Sequence, residues 1–67
     1  MTYKQKKLLD FIKKFIKQNG YSPSYREMAQ ALNVNTSTTR SHIIALQKRG
    51  FIKFIPGTAR SVGITHP

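Results

Sequence analysis

A chain of 67 residues has room for one domain, buries only about 60% of its unfolded surface and, having no cysteine, must hold itself together by aliphatic and aromatic packing. Twelve Lys and Arg stand against two acids, a formal charge of +10 that repels itself in the compact state and favours a polyanionic partner: nucleic acid first, with membrane surfaces and ribosomal RNA as competing explanations. No apolar run approaches 18 residues, and Asp10, Lys13 and Lys14 interrupt any signal-peptide core, so a soluble, intracellular, cytoplasmic protein is expected.

The first element is a helix over residues 3–18. Leu8, Phe11, Ile12, Phe15 and Ile16 recur at three- and four-residue spacing, Leu9 widens the stripe, and Lys4, Lys7, Lys14 and Lys17 take the opposite face. Thr2 followed by Gln5 fits a capping box, and Gly20 sits where a left-handed residue should end the helix. Gly20 to Pro23 form a tight connection, because Pro23 biases Ser22 away from helix. Ser24 with Glu27 is a second capping box, opening a short helix over about 25–32 with Met28, Ala29 and Leu32 inward.

Asn33-Val34-Asn35 breaks the pattern. Asn33 tolerates the left-handed conformation of a sharp turn, Val34 is its apolar plug, and Asn35 or Thr36 caps a third helix over 36–49, with Thr39, Ile43 and Leu46 inward and Gly50 at its end. The period then changes from helical to alternating. Phe51 to Ile55 is rich in strand formers, Pro56-Gly57 marks a turn, and Arg60 to Thr65 returns with Val62 and Ile64 on one face. The expected fold is mainly α with a small β-hairpin: one domain, 1–67, a winged helix-turn-helix of three helices followed by a two-stranded antiparallel wing.

In a DNA-binding helix-turn-helix the second helix of the pair lies in the major groove. Here the exposed start of the third helix holds Asn35, Thr36, Ser37, Thr38, Arg40 and Ser41. Short hydrogen-bonding side chains let a helix sit deep in a groove about 12 Å wide, and an arginine can pair bidentately with guanine. The hairpin tip, Pro56 to Arg60, is slim and positive, suited to the DNA backbone or minor groove. Taken alone, the first set is equally a polar helix start, while for Arg60 a merely solubilising turn residue is the lesser of the two readings.

The run from Tyr21 to Leu32, then Ser37-Thr-Thr-Arg-Ser-His-Ile-Ile-Ala-Leu-Gln-Lys-Arg-Gly-Phe-Ile, and the ending Pro56-Gly-Thr-Ala-Arg-Ser-Val-Gly-Ile closely resemble the N-terminal DNA-binding domain of LexA repressors. The resemblance runs from about Lys6 to Thr65. It implies a sequence-specific double-stranded DNA-binding regulator, a repressor, of bacterial, phage or mobile-element origin. The base-reading positions it implies are Asn35, Ser37, Thr38, Arg40 and Ser41; Ser24, Tyr25 and Arg26 at the second helix's start, Thr36, Lys48, and the wing residues Thr58 and Arg60 fall to the backbone. LexA repressors continue into a self-cleaving peptidase domain that also dimerises them, whereas this sequence stops at Pro67, which leaves open an excised domain or a free-standing regulator. A monomer or weak dimer that pairs on DNA is expected.

Other chemistries find little support. His42 and His66 have no cysteine and only two distant acids, Asp10 and Glu27, to join them, so no metal, cofactor or catalytic triad is expected and the chain reads as a non-enzyme. His42 is expected to pack between helix and wing. An RNA- or ribosome-associated winged helix fits the charge equally, but the recognition face lacks a stacking aromatic and A-form major grooves do not admit a helix. A protein-docking winged helix needs an apolar patch, for which Ile44, Phe51 and Tyr21 are the candidates. A membrane role for the basic first helix would take the apolar face that the core requires.

Overall fold

The computed structural model describes residues 2–65; Met1, His66 and Pro67, at the ends of the expected domain, lie outside the described residues. The elements follow in the expected order: α1 Tyr3–Asn19, α2 Tyr25–Leu32, α3 Thr36–Lys48, β1 Ile52–Lys53 and β2 Gly63–Ile64.

Local chemistry sets each boundary. Thr2 Oγ1 accepts the Gln5 N–H and Gln5 Oε1 accepts the Thr2 N–H, both at 3.2 Å, closing the capping box of α1. Gly20, at φ 79°, ends that helix and returns its N–H to the Ile16 carbonyl at 2.8 Å. After α2, Asn33 takes φ 57°, its N–H bonds the Gln30 carbonyl at 3.2 Å, and the Val34 N–H reaches back to Ala29 at 3.0 Å. That paired return is a Schellman ending, made here with asparagine. The same ending follows α3: the Gly50 and Phe51 N–H groups meet the Gln47 and Leu46 carbonyls at 2.9 and 3.0 Å. It stops α3 at Lys48, one residue before the expected end.

The core lies where all five elements meet. Leu8 and Ile12 of α1, Met28 of α2, and Ile43 and Leu46 of α3 are wholly enclosed, with Leu9, Leu32, Ile52, Phe54 and Val62 around them. Ala29, small and buried, lets α2 and α3 approach closely. Two polar residues are buried among those described, Ser22 and Thr39; the Thr39 hydroxyl donates to the Asn35 carbonyl at 3.0 Å, whereas the Ser22 hydroxyl has no partner.

The hairpin departs from expectation in length. Strands anticipated over 51–55 and 60–65 reduce to two residues each, with Ile52 opposite Ile64 and Lys53 opposite Gly63. The physical reason is side-chain competition for the ladder. Ser61 Oγ accepts the Ile55 N–H at 2.9 Å and donates to the Ile55 carbonyl at 3.0 Å, taking both backbone groups that a longer strand would use. The tip is a turn in which the Thr58 N–H bonds the Ile55 carbonyl at 3.1 Å and Gly57 takes φ 79°. Phe54 and Val62 enter the core, so the wing is built into the domain and not laid on it.

A single core in a chain of this size rarely supplies more than about 3–5 kcal/mol. Leu46→Ala removes a side chain with no exposed surface and is expected to cost about 2–5 kcal/mol. A urea titration should find a large unfolded fraction before denaturant is added. Ile44→Ala, on the other side of the same helix, should change stability by less than about 0.5 kcal/mol.

Candidate nucleic-acid interface

The third helix has two unlike sides. Thr39, Ile43 and Leu46 are buried, while Thr36, Ser37, Arg40, Ser41, Ile44, Gln47 and Lys48 are exposed. Steps of three, four and seven residues place the exposed set along one strip of a helix. Of the anticipated base-reading residues, Ser37, Arg40 and Ser41 lie on this strip and Asn35 is exposed at its start. Asn35 Oδ1 is engaged as the helix cap, accepting the Thr38 N–H at 2.7 Å. Thr38 is half-buried, and the Ser41 hydroxyl donates back to the Ser37 carbonyl at 3.3 Å. Ile44 sits seven residues after Ser37, on the strip's midline. By residue type alone it is the apolar docking candidate named above, but the seven-residue step places it beside the polar groups. An aliphatic side chain in a major groove can meet a thymine methyl.

At the start of α2 the anticipated residues divide. Ser24 is spent within the fold: its Oγ accepts the Glu27 N–H at 3.2 Å and its N–H donates to Glu27 Oε1 at 2.8 Å. Tyr25 is half-buried against the core, and Arg26 is exposed. On the wing, Thr58 is exposed. Arg60 turns inward: its Nη1 donates to the Ser22 carbonyl at 3.0 Å and to Glu27 Oε1 at 2.8 Å, and its guanidinium lies 4.9 Å from the centre of the Tyr21 ring. No local sequence signal marks these partners, which lie 38 and 33 residues away for the two hydrogen bonds. His42 is half-buried on α3, with its Nε2 enclosed and unpaired. A shallow cleft lined by Pro23, Tyr25, Met28, Thr58, Arg60, Ser61 and Val62 lies between wing and α2 and encloses only about 10 Å³. Pockets for drug-sized ligands begin at about 300 Å³.

The charge of the second half of the chain is of one sign. Residues 34–65 contain no Asp or Glu and contribute Arg40, Lys48, Arg49, Lys53 and Arg60. Asp10 lies on the exposed side of α1, and Glu27 is neutralised in place. The backbone N–H of Ser24 is the largest influence holding the Glu27 carboxyl below the usual carboxylate range; desolvation opposes it, and Arg60 and the Ser24 hydroxyl add to it.

A short-side-chain strip on the second helix of a tight turn, flanked by a basic wing, places the chain in the winged helix-turn-helix class of DNA-binding domains. Comparison with known proteins narrows the class. The sequence model of the LexA DNA binding domain matches residues 1–61, and the chain belongs to that family. Similar curated proteins include the LexA repressors of Thermosipho melanesiensis, 45% identical over 64 residues, Caldicellulosiruptor saccharolyticus, 42% over 65, and Thermotoga maritima, 40% over 65. These alignments take in 96%, 96% and 97% of this chain but 32%, 32% and 33% of those repressors, so the chain spans about a third of their length. Among the described residues, no helix is long and apolar enough to cross a membrane and no group of His, Cys, Asp and Glu could hold a metal ion.

Because the native Glu27 carboxyl has a depressed pKa, its contribution to stability is present above the ordinary carboxylate value and is lost as pH falls through the native value. Thermal melts from neutral to acid pH should show wild type losing stability more steeply than Glu27→Gln in the acid range. Parallel pH profiles for the two proteins would disprove the assignment.

Proposed function

We propose that this chain is the sequence-specific, double-stranded DNA-binding part of a transcriptional repressor that acts by occupying its site. The exposed strip of α3 carries the reading: its first turns hold uncharged short side chains around one arginine, on the side of the helix that the core does not use. In this reading α3 enters the major groove. Arg40 pairs with a guanine; Asn35, Ser37, Thr38 and Ser41 reach base edges or adjoining phosphates; and Ile44 contacts a thymine methyl. Arg26, Thr36, Lys48 and the wing tip at Thr58 lie toward the backbone. Ser24 and Tyr25 act indirectly, by fixing the start of α2. Helix-turn-helix operators are commonly two-fold, so two copies assemble on the duplex from a monomer or weak dimer in solution. Mass measurement with and without a palindromic duplex tests the assembly.

Selection of bound sequences from a random duplex pool identifies the target. Against that target, Arg40→Ala is expected to cost about 1–3 kcal/mol and to relax preference at one base pair, whereas Lys48→Ala should weaken all sequences alike. With about four phosphate contacts per copy, log K should fall against log salt with a slope near −3.6. Unchanged affinity and preference in Arg40→Ala would displace α3 from the groove, and a flat salt response would remove the phosphate contacts.

A further inference from the structure

Arg60 holds a position that an arginine kept for phosphate does not need. Apart from Asn33, it is the one non-glycine residue with positive φ among the described residues, at 53°. An L side chain persists in that conformation only where its surroundings over-determine it. Here they do so from three directions. The Ser22 carbonyl, on a buried residue, accepts from Nη1; Glu27 Oε1 accepts from the same nitrogen; and the Tyr21 ring underlies the guanidinium.

The receiving groups are themselves fixed. Glu27 is tied to Ser24 within the capping box. Tyr21 packs edge-on against Phe15 at 5.6 Å, and Phe15 meets Phe11 at 5.8 Å, so the aromatic series runs back along α1. A carboxylate 2.8 Å from the guanidinium would compete with any phosphate for it and would repel that phosphate as well. The socket therefore suits a link within the protein better than a link to DNA.

We propose that Arg60 is a positioning residue. It locks the wing to the first turn of α2, and through the short turn from α2 to α3 it sets the wing tip and the reading strip in one fixed relation, so that both meet the same duplex. On this account Glu27 supports DNA binding in spite of its negative charge. The DNA part rests on the function proposed above; the lock itself does not. The two side chains are 42% and 36% exposed, so the ion pair is weakened by solvent and the expected effects are moderate.

The test compares the full chain with Arg60→Ala, Glu27→Gln and the double variant. Glutamine keeps an oxygen for the Ser24 N–H, so α2 stays capped when the charge is removed; circular dichroism verifies the fold. Without DNA, ¹⁵N relaxation of the Thr58 and Ala59 amides should show greater mobility in both single variants than in wild type. With a mixed-sequence duplex, both singles should bind about two- to fivefold more weakly, the double should be no weaker than the weaker single, and the salt slope should not change. Weakening by Glu27→Gln is the distinctive sign, because removal of an acid from a DNA-facing surface otherwise tightens binding. If Glu27→Gln binds more tightly and Arg60→Ala lowers the slope by about 0.9, Arg60 is a phosphate ligand and the proposal is overturned. Unchanged wing relaxation in both variants overturns it equally. A wild-type chain that binds no duplex would defeat the function proposed above, while the relaxation measurement would still decide the lock.

Discussion

The whole arrangement depends on α3 satisfying two opposite demands along its length. One side must be apolar enough to close a core that three short helices could not otherwise close; the other must stay short, polar and uncovered. Thr39, Ile43 and Leu46 meet the first demand, and Ser37, Arg40 and Ser41 meet the second, within the same turns. Neighbouring choices follow from this division. Ala29 is small because α2 must lie close. Asn33 is left-handed because the chain must reverse sharply to bring α3 across α2. The hairpin sends Ile52, Phe54 and Val62 inward, leaving the outer side of α3 uncovered.

Charge is distributed by a related logic. A compact domain of +10 works against its own cohesion, and two carboxylates do little to offset that globally. One of them is placed where it does several local tasks: Glu27 accepts the Ser24 N–H, completes a helix start and receives Arg60. The other, Asp10, stands on α1 among lysines. Residues 34–65, from the end of the turn through the wing, carry no acid of their own, and the carboxylate nearest the wing, Glu27, is paired with Arg60, an electrostatic condition that favours approach to a phosphate backbone.

Most of the fold was legible in the sequence because its boundaries are set by short-range chemistry. Thr2 with Gln5, Ser24 with Glu27, Gly20, Asn33 and Gly50 each act within five residues of themselves, and each appears where the pattern placed it. The hairpin was legible in kind but not in extent, since the Ser61 hydroxyl replaces ladder bonds and no propensity scale records that. The exposure of Ser37, Arg40, Ser41 and Lys48 on one strip of α3 was legible, because helical spacing governs it. The site was not legible where tertiary partners decide: nothing near Arg60 in sequence announces Ser22, Glu27 or Tyr21. Ile44 shows a different failure, in which residue type outweighed position.

The placement of Phe54 and Val62 bears on how the domain comes apart. A loop held only at its base can fray while the body stays whole, and proteases exploit that difference. Here the segments on either side of the tip each contribute a side chain to the common interior, so loosening the tip draws on the same cohesive reserve as loosening α1. Hydrogen exchange should accordingly report one cooperative unit, and a grip on the tip by any ligand would slow exchange on the far side of the molecule, at amides the ligand never touches.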